Sequence, residues 1–327
     1  PVTLTRRTTR LCKLSRGLGD VYKRQVDSDE NHGAVIPPIY LSSNFSFKGF
    51  DEMREYDYTR SGNPTRDQLA DALATLEGGS GGVVTASGMA AVHLVTQLVR
   101  PGEVIVAPHD CYGGCHRLFT AGSARGLFEM AWLPLWETAA SVQKIRELKP
   151  RVVWIETPSN PLLRITDIEA IAAAAHDAGA LVVVDNTFLS PAGQRPFERG
   201  ADIVLHSTTK YINGHSDVVG GAVLARDPAL VEELAWWANC CGLTGSPFDS
   251  FQTLRGLRTL SVRYRQHERN AARVAEFLNQ HPLVGRVYYP GLEDHPGHGL
   301  AARQQESFGA MISFELDAET SEIRRFL

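Results

Sequence analysis

Lys210 is the only lysine after Lys149, and it closes the run Ala-Asp-Ile-Val-Leu-His-Ser-Thr-Thr-Lys, residues 201–210. In the rest of that half of the chain, arginine carries the strong positive charge. Arginine stays protonated at any working pH, whereas a partly desolvated lysine loses its proton and attacks a carbonyl, so only lysine can form a Schiff base. Taken alone, the position reads better as a surface cation in an arginine-biased sequence. Its meaning depends on the residues at the ends of the neighbouring apolar runs.

Ser87-Gly88-Met89 follows one such run and opens the helical stretch Ala90 to Leu98. Unpaired amides and a positive helix end there suit an anion such as phosphate, although Ser87 could also be an ordinary cap. Ser207 and Thr209 would add hydroxyl donors or simply form a turn. Asp185 ends a further run, where a carboxylate either caps the next segment or keeps a pyridine nitrogen protonated through a charge-assisted bond. Tyr112 offers a flat face for stacking on a ring or for plain packing. Asn160, in Thr157-Pro158-Ser159-Asn160-Pro161, can hydrogen-bond a ring hydroxyl or turn the chain between two prolines. A phosphate cradle, a stacking ring, a pyridinium partner and a Schiff-base lysine are together the requirements of pyridoxal 5'-phosphate.

The elements that must position these residues are set by periodicity. Asn63-Pro64 caps a helix carrying Leu69, Ala72, Leu73 and Leu76 at helical spacing until Gly78-Gly79. Short apolar runs at 82–85, 104–107, 152–155, 181–184 and 203–205 then alternate with helical stretches such as 168–178. That alternation predicts an α/β fold with a mostly parallel sheet flanked by helices, in which ligands gather beyond the carboxyl ends of the strands. From about Pro247 the pattern is long, helical and arginine-rich, before residues 309–316 read as a strand. A smaller C-terminal α+β domain, incomplete at Leu327, is the expectation, since no helix stop signal precedes the end.

Composition narrows the classes. A chain of 327 residues with 43% hydrophobic content can hold one large and one smaller domain. No apolar run reaches the ~20 residues that span a bilayer, so no membrane role is expected. Residues 1–25 hold seven of the 33 basic residues and one of the 37 acidic ones, Asp20, so the remainder carries 26 minus 36, or -10, against -4 for the whole. The segment reads as a non-native or targeting leader. The acidic remainder argues against nucleic-acid binding, which needs a clustered basic surface. Five cysteines, an odd number, favour a reducing cytoplasm over a disulfide scaffold. His109, Cys111, Cys115 and His116 match no familiar zinc spacing, so no metal is expected.

Three runs carry a resemblance to a known family: residues 58–65 (Tyr-Thr-Arg-Ser-Gly-Asn-Pro-Thr), 107–114 (Ala-Pro-His-Asp-Cys-Tyr-Gly-Gly) and 207–217 (Ser-Thr-Thr-Lys-Tyr-Ile-Asn-Gly-His-Ser-Asp). From about residue 29 to 327 the chain resembles the cysteine and methionine metabolism group of fold-type-I pyridoxal-phosphate enzymes. The resemblance implies that Lys210 carries the cofactor, Asp185 pairs with its ring nitrogen, Tyr112 stacks and assists proton transfer, and Asn160 meets the ring hydroxyl. Ser87, Gly88, Met89, Ser207 and Thr209 would surround the phosphate, completed by Tyr58 and Arg60 from a neighbouring subunit in a homotetramer of tight dimers. It also implies an N-terminal arm over 26–62, a cofactor domain over 63–256 and a second domain from 257. The family's C-terminal segment, with an arginine that grips the substrate α-carboxylate, would lie beyond Leu327.

Residues 233–239 and 308–315 look most like the branch that makes cystathionine in methionine biosynthesis, by γ-replacement on an O-acylhomoserine with cysteine. Ser61 stands where some members that use the succinyl ester have a second arginine, which leaves the acyl group open; Arg117 and Arg54 are the candidates for a distal carboxylate. The γ-lyases and the sulfide-using acylhomoserine enzymes share every cofactor residue named. A noncatalytic scaffold is the alternative of another class.

Overall fold

The structure is a computed structural model that describes residues 32–326. The leader over 1–25 and Cys12 lie outside the described residues.

Helix α1, Pro64–Glu77, starts where the sequence requires: the Asn63 side chain accepts the N–H groups of Thr65 and Arg66, Pro64 occupies the first turn, and Gly78 ends the helix in the left-handed region at φ 84°. After it come β1 (Gly81–Thr85), α2 (Gly88–Thr96), β2 (Val104–Pro108), α3 (Gly113–Ala124), β3 (Glu129–Leu133), α4 (Thr138–Leu148), β4 (Val152–Glu156), α5 (Ile168–Asp177) and β5 (Leu181–Asp185). A short helix α6 (Ser190–Gly193) and a 3-10 turn (Pro196–Arg199) lead into β6 (Ile203–His206) and β7 (Gly221–Ala225).

The sheet order is β1-β7-β6-β5-β4-β2-β3. Strands β2, β3, β4, β5 and β6 pair in parallel, and β1 pairs with β7 antiparallel. The mostly parallel α/β sheet predicted from alternation is therefore present. Five strands coincide to within a residue with the predicted apolar runs. Strands β3 and β7 were not among those runs. The former opens on Glu129 and stays only half-buried; β7 is a fully buried apolar run, Gly221–Ala225, that the sequence reading passed over.

The chain divides into two compact units. One comprises the described residues through Leu94 together with Ser207–Thr259. In it α1 packs on β1 and on α8 (Pro247–Leu257), while α7 (Pro228–Cys241) lies against β1 and β7. Full burial of Leu69 and Leu73 on α1 contributes about 1.5–3 kcal/mol each.

The other unit comprises Val95–His206 and the chain from Leu260. Strand β4 is buried along its whole length, and Trp154 meets Phe119 of α3 edge-on at 5.3 Å. Its C-terminal part holds α9 (Leu260–Asn279), β8 (Val284–Tyr288), α10 (His298–Gln304), β9 (Ser313–Leu316) and α11 (Thr320–Phe326). There Ala271, Ala275, Val287 and Tyr289 form a core that Phe308, Ile312 and Phe314 join. Strand β9 is shorter than the predicted 309–316: it begins at Ser313, opposite Tyr288 at the end of β8, and Gly309 at φ 87° lies outside the extended run. Among the described residues, no helix is long and apolar enough to cross a membrane.

Candidate active site

The first unit builds a cradle. The turn from β1 into α2 brings Gly88 so near the loop after β6 that a Cβ on it would stand 2.8 Å from Ser207 Cβ and 3.1 Å from Ser207 Oγ. A Cβ on Gly221 would likewise strike the Ser87 carbonyl. Only hydrogen fits at these two positions. The Ser87 hydroxyl accepts the Ala90 N–H at 3.0 Å, and the Ser87 carbonyl accepts the Ala91 N–H at 3.1 Å. The amides of Gly88 and Met89 are then the first-turn donors of α2 without an acceptor inside the helix, and no acidic residue lies in that turn. This donor set, at a positive helix end, fits a phosphate.

Lys210 sits in the turn that follows β6, and its side chain is exposed. The turn is held by backbone bonds from Lys210 N to Ser207 O (3.3 Å), Asn213 N to Thr208 O (2.8 Å) and Gly214 N to Lys210 O (2.9 Å). Thr209 is differently engaged: its hydroxyl donates to the Gly220 carbonyl at 3.2 Å and accepts the Gly220 N–H at 3.0 Å. Tyr58 and Arg60 are both exposed, with the guanidinium 5.2 Å from the Tyr58 ring centroid and Arg60 Nε donating to Asn239 Oδ1 at 2.9 Å. Arg54 Nε donates to the Ser46 carbonyl at 2.9 Å, and Ser61 Oγ donates to Asp57 Oδ1 at 2.8 Å, so both brace the arm.

The second unit gathers acids at strand ends. Asp185 ends β5 directly opposite Glu156, which ends β4. A carboxylate oxygen from each of them and the Cys115 sulfur lie within 4.8 Å of one another. Burial pushes the Asp185 carboxyl up, against the pull of hydrogen bonds from Thr187, whose N–H donates to Oδ1 at 3.0 Å, and of His206. Burial, reinforced by Asp185, also pushes Glu156 up. Burial also raises the Cys115 thiol, and takes the Cys111 thiol to about 12. These are settings for neutral thiols. Tyr112 precedes α3 with its side chain 47% exposed, and its N–H donates to Glu156 Oε2 at 2.7 Å. Asn160 is half-buried, and its backbone N–H also bonds Glu156.

Sequence reading assigned Glu156 no role. The signal was present, since an acid closes an otherwise apolar run, but its facing partner depends on strand register. The histidines weighed as metal ligands are engaged with aromatic rings: His109 lies edge-on to Trp136 at 4.8 Å, and His116 stacks on Trp132 at 4.5 Å. Arg117 is exposed on α3.

The sequence pattern of the family described as Cys/Met metabolism PLP-dependent enzyme matches residues 21–327. The chain belongs to this family. Among members of this Cys/Met metabolism group, cystathionine gamma-synthase of Escherichia coli (strain K12) is 54% identical over 303 residues, covering 92% of this chain and 78% of the relative. Cystathionine gamma-lyase of Dictyostelium discoideum is 43% identical over 301 residues, covering 92% and 78%. The crystal structure of cystathionine gamma synthase from Xanthomonas oryzae pv. oryzae in complex with cystathionine superposes with a TM-score of 0.93 at 58% identity, over 95% of this chain and 80% of that one. As a Cys/Met metabolism enzyme the chain uses pyridoxal phosphate. The helix-end donors by Gly88 and the half-buried acid at Asp185 have the chemistry that this cofactor's phosphate and ring nitrogen require.

Proposed function

We propose that the chain catalyses γ-replacement: an O-acylhomoserine, with O-succinylhomoserine as the donor, reacts with cysteine to give cystathionine and the free carboxylic acid. The observation that carries this reading is the 54–58% identity to proteins named cystathionine gamma-synthase in a chain that keeps Lys210 directly after the cradle loop.

When bound, pyridoxal phosphate supplies an electron sink for the substrate carbons. The protein does the rest. Amides of Gly88 and Met89 and hydroxyls of Ser87, Ser207 and Thr209 bind the phosphate; Thr209 would turn its hydroxyl proton away from Gly220 to do so. Asp185 holds a proton at the ring nitrogen, Tyr112 covers the ring face, and the Asn160 side chain bonds the ring hydroxyl. Lys210 Nζ anchors the cofactor and then moves protons at the substrate α and β carbons. Arg117 or Arg54 would meet the distal carboxylate of a succinyl group.

Assembly is part of the reading. We take the enzyme to be a cytoplasmic homotetramer of tight dimers in which Tyr58 and Arg60 complete the neighbour's phosphate site. Supporting this, both side chains are exposed, and the arm that carries them also exposes Val35, Ile36, Leu41, Phe47, Phe50 and Met53. The domain reading, an arm to residue 62, a cofactor domain over 63–256 and a second domain from 257, is likewise proposed.

Incubating the enzyme with O-succinylhomoserine and cysteine should yield cystathionine and succinate. The 43% identity to a γ-lyase makes elimination the rival chemistry. A product dominated by 2-oxobutyrate, or a preference for sulfide over cysteine, would reject the γ-replacement reading.

A further inference from the structure

Glu156 is 6% exposed, at the end of a strand whose other four residues are Val152, Val153, Trp154 and Ile155. An acid so placed is costly unless its lone pairs are used. Glu156 Oε2 accepts the Tyr112 N–H at 2.7 Å, and the same carboxyl bonds the Asn160 N–H. Tyr112 immediately precedes the helix after β2, and Asn160 belongs to the loop after β4, so one side chain ties together the two segments that carry the residues proposed to stack on the ring and to meet its hydroxyl. The third ring-side residue, Asp185, is its facing partner in the sheet.

We infer that Glu156 is a positioning residue for the cofactor ring: its carboxyl fastens the Tyr112 and Asn160 segments and, as the neutral acid, leaves Asp185 the only anion opposite the ring nitrogen. This rests on the proposed roles of Asp185, Tyr112 and Asn160 and deepens them. Repulsion between carboxyl oxygens within 4.8 Å, on buried Glu156 and half-buried Asp185, disfavours ionising both. Both acids accept hydrogen bonds that favour the anion, Glu156 from backbone N–H groups and Asp185 from Thr187, so the neighbouring charges decide which one keeps the proton. Glu156 faces Asp185, Asp110 and the thiols of Cys111 and Cys115, with no cation in contact among the described residues. Asp185 has two Thr187 hydrogen bonds and His206 in its favour. The neutral acid still accepts the Tyr112 N–H when Oε2 is its carbonyl oxygen.

The test compares Glu156→Gln with Glu156→Ala. Glutamine keeps a neutral group with an acceptor oxygen, so the apoenzyme should bind pyridoxal phosphate within about fivefold of the parent and show the same pH midpoint of its visible band. Alanine leaves the part-buried Tyr112 N–H and the Asn160 N–H without this acceptor and should weaken binding by about tenfold or more. A glutamine variant that loses fivefold or more, shifts the midpoint or fails to fold would overturn the inference. So would an alanine variant that binds like the parent; should alanine not fold, the glutamine result decides. Asp185→Asn is measured alongside: if it leaves cofactor affinity and spectrum untouched, the site reading itself has failed, whereas failure confined to Glu156 leaves that reading standing.

Discussion

Replacing Gly88 by alanine tests the phosphate cradle through one methyl group. The added Cβ would stand 2.8 Å from Ser207 Cβ and 3.2 Å from Ser207 Cα. Carbon atoms settle at about 3.5–4.0 Å, so the β1–α2 turn and the Ser207 loop would have to separate by about 0.7 Å or more. Both partners are backbone-proximal and cannot swing aside. Overpacking of this kind costs about 1–3 kcal/mol. Because the separation opens the cradle itself, the loss should appear mainly in cofactor affinity, as a drop of about fivefold to 150-fold. The assay strips the cofactor and titrates pyridoxal phosphate back while following the visible band, with thermal melting in parallel. Gly299→Ala is the control, since its Cβ would meet only Arg303 Nη1 at 3.7 Å, an ordinary contact. If Gly88→Ala binds the cofactor and melts like the parent, Gly88 and Ser207 do not form the phosphate site.

Asp185→Ala should still bind the cofactor through Lys210 and the cradle but lower kcat by about 100-fold or more, because the ring nitrogen loses the group that holds its proton; normal turnover would remove Asp185 from the mechanism. Arg60→Ala should be inactive alone, yet regain roughly one quarter of parental activity when refolded with an equal amount of Lys210→Ala chains, since each mixed dimer keeps one complete site. No restoration in mixed oligomers would place Arg60 outside the neighbour's site.

Much of the fold was legible because it is written in local patterns. Asn63-Pro64 and Gly78 bound α1 as their capping chemistry requires, and the apolar runs became strands with Ser87, Tyr112, Asp185 and Lys210 at or beyond their ends. The features that stayed hidden depend on pairing between distant segments. Nothing near Glu156 says that Asp185 will face it, because the β4–β5 register is set by the buried runs as wholes. The engagement of the Thr209 hydroxyl with Gly220 is similarly non-local. The cluster of His109, Cys111, Cys115 and His116 resolves into different roles once folded: the histidines pack on tryptophans, and Cys115 joins the acids.

The most direct test of the account is to identify the amine that holds the cofactor. Borohydride reduction of the enzyme loaded with pyridoxal phosphate, then proteolysis and mass mapping, should give one modified peptide carrying the label on Lys210. Label on Lys144 or Lys149 in its place, with Lys210 unmodified, would contradict the site on which every chemical assignment depends.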